Sequence, residues 1–319
     1  MENLLFSLNA TIPVFLVMVI GYILKNLHLL DESFVKTLNK FNYNITLPAL
    51  LFKDISGSDF LAVWDTKYVL FCFGITFLCI ALTWIITAGL YHRKDLIGEF
   101  VQASYRSSAA ILGIAFIQNI YGRSGMAPLM IIGTVPLYNV AAVLVLSFTG
   151  PESGKVNTSA LRSSVKGILT NPIILSIFAG MLASVLKSFL ALPDVPILSK
   201  TLNNIAVLAS PLALLGLGAG FEGRKALAEI KPTVICAFIK LLLWPALFLP
   251  LAAQLGFRDE KMVAILVMLG SPTTASCYIM AKNLKHEGVL TSSVVVATTF
   301  FSSVTLTFFL YLLKSFSLI

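Results

Sequence analysis

The sequence is poor in charge. Asp, Glu, Lys and Arg make up 12% of its 319 residues, against roughly 25% in soluble domains. Histidine is scarce as well, and none of His28, His92 and His286 pairs with a Cys, Ser or acid at catalytic or metal-ligand spacing. An enzyme has little to work with, and no metal or other cofactor is expected. Cys72, Cys79, Cys236 and Cys277 lie inside apolar runs without CxxC spacing and read as packing residues. A Gly-rich phosphate loop is missing, so direct nucleotide drive finds no support. No acid falls in the middle of an apolar run: every Asp and Glu maps to a seam or a run end. The N-terminus shows neither a charged leader region nor a small-residue cleavage site, so the first apolar run is read as the first span.

Apolar side chains are what the chain has in excess, at 57% of residues and a mean hydropathy of +0.90. A soluble protein of this length could not hide that much apolar surface from water. Lipid is therefore the expected solvent. The net charge of +8 does not indicate nucleic acid, because the Lys and Arg stand singly between apolar runs with no basic patch. A bilayer core of about 30 Å calls for about 20 apolar residues per helix. By that ruler the runs are 5–25, 34–53, 67–91, 98–119, 126–149, 167–189, 199–221, 232–255, 261–282 and 289–313. The expected fold class is thus all-α integral membrane, with about ten transmembrane helices. The hydrophilic seam 151–166 reads as a cytoplasmic linker between a first five-helix repeat, 1–150, and a second, 167–319. The larger share of Lys and Arg falls on the seams that would be cytoplasmic if both termini lie outside. A multi-pass protein of the cell (inner) membrane follows.

The halves echo each other. Pro13 with Gly21 eight residues on recurs as Pro172 with Gly180, and Pro48 in the second run recurs as Pro211 in the seventh. A polar interruption in the fourth run (residues 104–109, SYRSSA) has a counterpart in the ninth (residues 271–276, SPTTAS). Five spans is an odd number, so the second half must cross in the opposite sense, an arrangement common among secondary transporters.

Interruptions inside lipid persist where the freed backbone groups line a cavity or are buried in protein. At ~1.5 Å per residue both polar interruptions fall near the midplane, where crossed half-helices form a substrate site; kinked packing helices are the plainer alternative. Arg106 and Lys240 are the basic residues set well within runs, where a charge costs at least ~2.5–3.5 kcal/mol on insertion scales. With no acid to pair, a carboxylate ligand is a natural partner for Arg106, whose planar fork suits it; snorkelling to the surface is the other reading. Lys240 has no helix break beside it in sequence and is read as snorkelling. Most intramembrane amides join helices, but Asn139, beside Pro136 and Tyr138, is placed near the cavity, with Asn44 a lesser candidate. The expected substrate-binding set is Arg106, Ser107, Ser108, Asn139, Pro272, Thr273, Thr274, Ser276, Tyr278 and Asn44, with helix breaks at Pro48, Pro211 and Pro272.

These residues also carry a resemblance. Residues 38–52 (LNKFNYNITLPALLF), Pro136 to Val140 (PLYNV), and Pro272 to Tyr278 followed by Ala281 and Lys282 are similar to three signatures of the auxin efflux carrier family, which holds bacterial permeases and the plant PIN proteins. The resemblance implies two inverted five-helix repeats with crossed broken helices 4 and 9, in an elevator-type, bile-acid-symporter-like fold. It implies a scaffold of spans 1, 2, 6 and 7, often a homodimer, and a transport bundle of the others. One departure stands out. Five residues before the fourth-span Gly113, where family members commonly place Asn, this chain has Ser108, preceded by Ser107. That and the short linker resemble the compact prokaryotic branch, for which a dicarboxylate such as malonate is a plausible cargo. The expectation is a secondary carrier of a small organic anion in a lipid bilayer. A Na⁺-coupled symporter and a non-transporting sensor on the same fold are the alternatives.

Overall fold

The computed structural model describes residues 2–57, 64–90, 93–149, 159, 162, 166, 169–190, 196–220, 229–274 and 276–319. Apart from three positions, the expected linker 151–166 lies outside these residues. So do His92, Ala275 and the charged residues Asp59, Asp194, Glu222, Arg224 and Lys225 that entered the topology reading.

The described secondary structure is helical throughout. In chain order the helices are α1 (Glu2–Asn26), α2 (Glu32–Phe41), α3 (Leu47–Ser56), α4 (Thr66–Leu90), α5 (Ile97–Tyr105), α6 (Ile114–Tyr121), α7 (Ala127–Thr149) and α8 (Pro172–Leu190). There follow α9 (Pro196–Ala206), α10 (Ala209–Ala219), α11 (Ile230–Phe238), α12 (Trp244–Gln254), α13 (Asp259–Gly270), α14 (Ser276–Asn283) and α15 (Val289–Ser315). The described parts of the apolar runs lie largely on these helices, the fourth and ninth runs each being divided between two. Seven helical stretches are long and apolar enough to cross a membrane: 2–26, 66–90, 94–121, 127–149, 196–219, 230–254 and 289–315. Residues 172–187 form a shorter apolar helix.

Local chemistry sets the ends. The Asp31 carboxylate accepts from the Phe34 amide at 2.6 Å and caps α2. Asn171 does the same for α8, taking the Ile173 amide at 2.9 Å, with Pro172 in the first turn where its missing N–H costs nothing. Gly122 closes α6 in the left-handed region at φ 72°, which a side chain would disfavour.

Two of the three expected proline breaks turn out milder. Ahead of Pro48 the helix does not break. It widens into a π turn over Asn42–Thr46, in which the Leu47 amide reaches back to the Asn42 carbonyl, and then continues as α3. The wider turn absorbs the clash between a proline ring and the carbonyl four residues earlier. Pro211 instead produces a short interruption at 207–208, between α9 and α10, at that same four-residue offset. Only Pro272 stands in a full gap.

The helices pack in a definite order. Helix α1 lies on α10, α3 on α8, α4 on α7 and α11 on α15. Large apolar side chains such as Leu70, Ile85 and Leu90 of α4 stand mostly exposed, as expected where the neighbour is lipid. Helices α5 and α13 are the opposite: all nine residues of α5, and all from Met262 to Gly270 of α13, are buried. A helix buried on every face belongs to the centre of the molecule, and these two carry the interruptions.

Candidate functional site

Helix α5 stops at Tyr105 because Arg106 turns to extended backbone, with φ −76° and ψ 129°. The chain re-enters helix through a π turn, Ala109–Gly113, and α6. Helix α13 stops at Gly270, where Ser271 is likewise extended at φ −72° and ψ 157°, and helix resumes at Ser276 as α14. The two gaps touch. The Ser108 amide donates to the Pro272 carbonyl at 2.8 Å.

Side chains then take up the backbone groups that a helix would otherwise bond to itself. Thr273 donates from Oγ1 to the Ala103 carbonyl at 2.7 Å, and its amide donates to Thr298 Oγ1 at 3.0 Å. Gln102 Nε2 reaches the Cys277 carbonyl at 2.9 Å. The Trp244 indole donates to Ser104 O at 3.0 Å, and the Ser107 hydroxyl donates to Met268 O. Four half-helices thus converge. The C-terminal ends of α5 and α13 meet on one side, and the first turns leading into α6 and α14 stand on the other.

Beside the crossing lies a cavity of about 460 Å³. Of the ten expected residues, Arg106, Ser107, Ser108, Asn139, Thr274 and Ser276 line it. Arg106 is 5% exposed; its Nη2 donates to Asn139 Oδ1 at 2.6 Å and its Nη1 to the Met280 sulfur at 2.7 Å. The Asn139 amide is itself oriented, because its Nδ2 donates to the Val135 carbonyl at 3.1 Å. Among the described residues no carboxylate pairs with Arg106.

Four expected residues fall elsewhere. Pro272 and Thr273 build the crossing but do not line the cavity. Tyr278, 37% exposed, is also outside the lining. Asn44 points away on an exposed face and donates to its own helix at Lys40 O, 2.7 Å. The second run contributes instead through Asn39, Asn42 and Tyr43, with Tyr138 and Asn171 completing the polar lining. The spacing of Asn39, Asn42 and Tyr43 places them on one helix face, a signal that was open to reading.

Lys240 overturns its expectation. It does not snorkel: it is fully buried. Its Nζ donates to Ser107 Oγ at 2.5 Å and Leu269 O at 2.7 Å, with Met268 O at 3.3 Å and Tyr105 O at 3.5 Å. The helix breaks it serves are far off in sequence. Glu99 and His286 sit at run ends, as expected, yet both are buried. The Glu99 carboxylate accepts from the amides of Gly288 at 2.7 Å and Thr291 at 3.0 Å and from the Thr291 hydroxyl at 3.0 Å, capping α15. A larger cavity, about 570 Å³, opens beside them among Lys94, Asp95, Lys285 and Glu287. Its charges of both signs and its distance from the crossing make it a poorer candidate than the smaller one. No group of three or more His, Cys, Asp or Glu among the described residues could hold a metal ion.

The chain is 26% identical over 316 residues to a Rhizobium meliloti protein named "Putative malonate transporter", covering 95% of both. It is 23% identical to an "Uncharacterized transporter" of Methanothermobacter thermautotrophicus, covering 94% of this chain and 96% of the relative. It is 24% identical to the "Uncharacterized transporter YfdV" of Escherichia coli, covering 87% of this chain and 88% of the relative. The family model for membrane transport proteins, the family of the auxin efflux carriers, matches residues 6–310. This multi-pass membrane chain therefore belongs to the membrane transport protein family.

Proposed function

We propose that this protein is a secondary carrier that moves a small organic anion, a mono- or dicarboxylate, through the cavity beside the crossed half-helices. The observation that carries the reading is Arg106: a guanidinium 5% exposed, lining the cavity, oriented by Asn139, and paired with no acid among the described residues. A charge at that depth calls for a counter-charge, and a carboxylate fits the guanidinium fork. The first turns of the half-helices leading into α6 and α14, with Ser108, Thr274 and Ser276, border the same space, and helix N-termini favour anions. The volume suits a ligand of small-molecule size. The name of the Rhizobium relative makes malonate one cargo to try.

The transport cycle we propose is alternating access by ten spans in two inverted halves, 1–150 and 167–319. The packing supports it: the first run lies on the seventh and the second on the sixth, as a two-fold axis in the membrane plane would produce. On this reading α1–α3 and α8–α10 form the scaffold, through which two copies would associate, and the rest shifts against it. Both termini lie outside. Coupling to Na⁺ would need free oxygens at the half-helix ends, and those of Tyr105, Met268 and Leu269 already accept from Lys240.

The test is thermal-shift screening of purified protein in detergent against mono- and dicarboxylates, indole acids and uncharged analogues. A ligand that binds the folded state raises its melting temperature by mass action. A carboxylate should stabilise wild type and not Arg106→Ala. Stabilisation by neutral or cationic compounds alone would refute the anion reading.

A further inference from the structure

Lys240 needs a reason to be where it is. It lies in the π turn Ile239–Leu243 that joins α11 to α12, is fully buried, and pairs with no carboxylate among the described residues. Its ammonium has one hydroxyl, Ser107 Oγ, and three carbonyls, Tyr105 O, Met268 O and Leu269 O, within 3.5 Å. All three carbonyls come from the last turns of α5 and α13. The C-terminal end of a helix carries roughly half a negative elementary charge. Two such ends pointed at one buried spot therefore sum to about one negative charge. Four uncharged oxygens around a point of net negative potential are the ligand set of a desolvated monovalent cation. Here the cation is covalently attached.

We propose that the C-terminal ends of α5 and α13, with Ser107, form a monovalent-cation site at the crossing, and that the Lys240 ammonium is its permanent occupant. A free ion in this site would bind and leave with each cycle. A tethered one holds the crossing together throughout and makes transport independent of Na⁺ at this position. The π turn in the eighth run serves the arrangement, because a wider turn re-aims the side chain at the crossing. Ser107 links the two buried cations: its side chain touches Lys240 while the residue lines the cavity next to Arg106. The inference rests on the geometry of the crossing, and only its uptake arm depends on the carrier reading.

The experiment compares wild type, Lys240→Ala and Lys240→Met, all purified in ammonium chloride. Each is then exchanged into choline, sodium, potassium, ammonium or methylammonium chloride for thermal unfolding. Wild type should melt at one temperature in all five, since its site is already filled. Lys240→Ala should melt lower in choline and rise by about 5 °C in a small cation that enters the vacated site, the shift expected for a ligand well above its dissociation constant. Lys240→Met, which fills the space with an apolar chain, should show no such rescue. In vesicles, wild-type uptake should not require Na⁺, whereas Lys240→Ala uptake should fall in choline and recover with the same cation that restores its stability. A folded Lys240→Ala that melts alike in choline and in every small cation overturns the proposal. So does a Lys240→Met protein as stable and active as wild type. Should Lys240→Ala fail to fold, the wild type still decides: a melting temperature or uptake rate that depends on Na⁺ would place a free ion at the crossing and refute the tethered one.

Discussion

Where α1 lies on α10, the two backbones approach through glycine; where α5 crosses α13, they are joined by side chains bonded to backbone. A methyl group added at Gly218 would run into the Met18 carbonyl, and one at Gly21 into the Leu215 carbonyl. Small residues are the usual means of close helix contact in lipid, where apolar association gains nothing over lipid tails. The contact is one of backbone against backbone. The crossing carries buried Lys240, Ser107, Thr273 and Gln102, which donate to backbone carbonyls, and buried Arg106, held by Asn139 and Met280, and it borders a cavity. Substitutions in the first region should therefore cost stability and spare binding. Substitution of the cavity-lining Arg106 should do the reverse.

The largest effect should come from Arg106→Ala. Hydrogen bonds to a charged group are worth about 1.5–3 kcal/mol, so carboxylate affinity should drop by roughly 10- to 100-fold while the variant folds. Ligand titration by thermal shift and vesicle uptake both read it, and unchanged affinity would remove Arg106 from the site. Gly218→Ala tests the other region. Overpacking there should cost about 1–3 kcal/mol of stability, read as a lower melting temperature, while carboxylate affinity per folded molecule stays at the wild-type value. A Gly218→Ala protein of normal stability and altered affinity would break the comparison.

Glu99→Gln sharpens it from the polar side. The carboxylate accepts three hydrogen bonds at the start of α15, and an amide offers a single uncharged acceptor oxygen. The expected loss is about 1–2 kcal/mol of stability, without a change in affinity. Asn139→Ala leaves the Arg106 charge but removes its orienting partner, so affinity should fall by about tenfold, less than for Arg106→Ala.

The smallest effect is expected at a surface ion pair. Burial raises the Asp65 carboxyl, but the Lys261 ammonium at 2.6 Å and the Tyr68 amide at 3.0 Å outweigh it and hold its pKa below the ordinary value. A depressed folded-state pKa means the contribution is present above the unfolded pKa and is lost as pH falls through the folded one. Melting temperature should decline slightly as pH drops below about 4. That portion of the decline should vanish in Asp65→Asn and shrink in high salt, because both side chains reach solvent.

Much of this was legible from residues alone. A chain with 57% apolar and 12% charged residues has few solvents open to it, and the described parts of the apolar runs are largely helical because burial and backbone satisfaction in lipid act span by span. The interruptions at 104–109 and 271–276 were legible for the same local reason, with Pro272 lacking a donor among hydroxyl side chains that could serve the freed groups. Pro48 was overestimated, since a proline specifies a clash with the preceding turn and leaves open whether a π turn absorbs it.

What the tertiary structure decided was partnership. Asn42 and Asn44 are equally polar and two residues apart, yet one lines the cavity and the other bonds its own helix on an exposed face, because two residues turn a helix by about 200° and only packing says which face looks inward. Lys240 read as a surface-seeking lysine because its neighbours in sequence offer it nothing. Its oxygens come from Ser107, 133 residues earlier, and from Leu269, 29 residues later. A side chain's type and depth belong to the sequence. The electrostatic field it sits in is made by helix ends that meet only when the chain is folded.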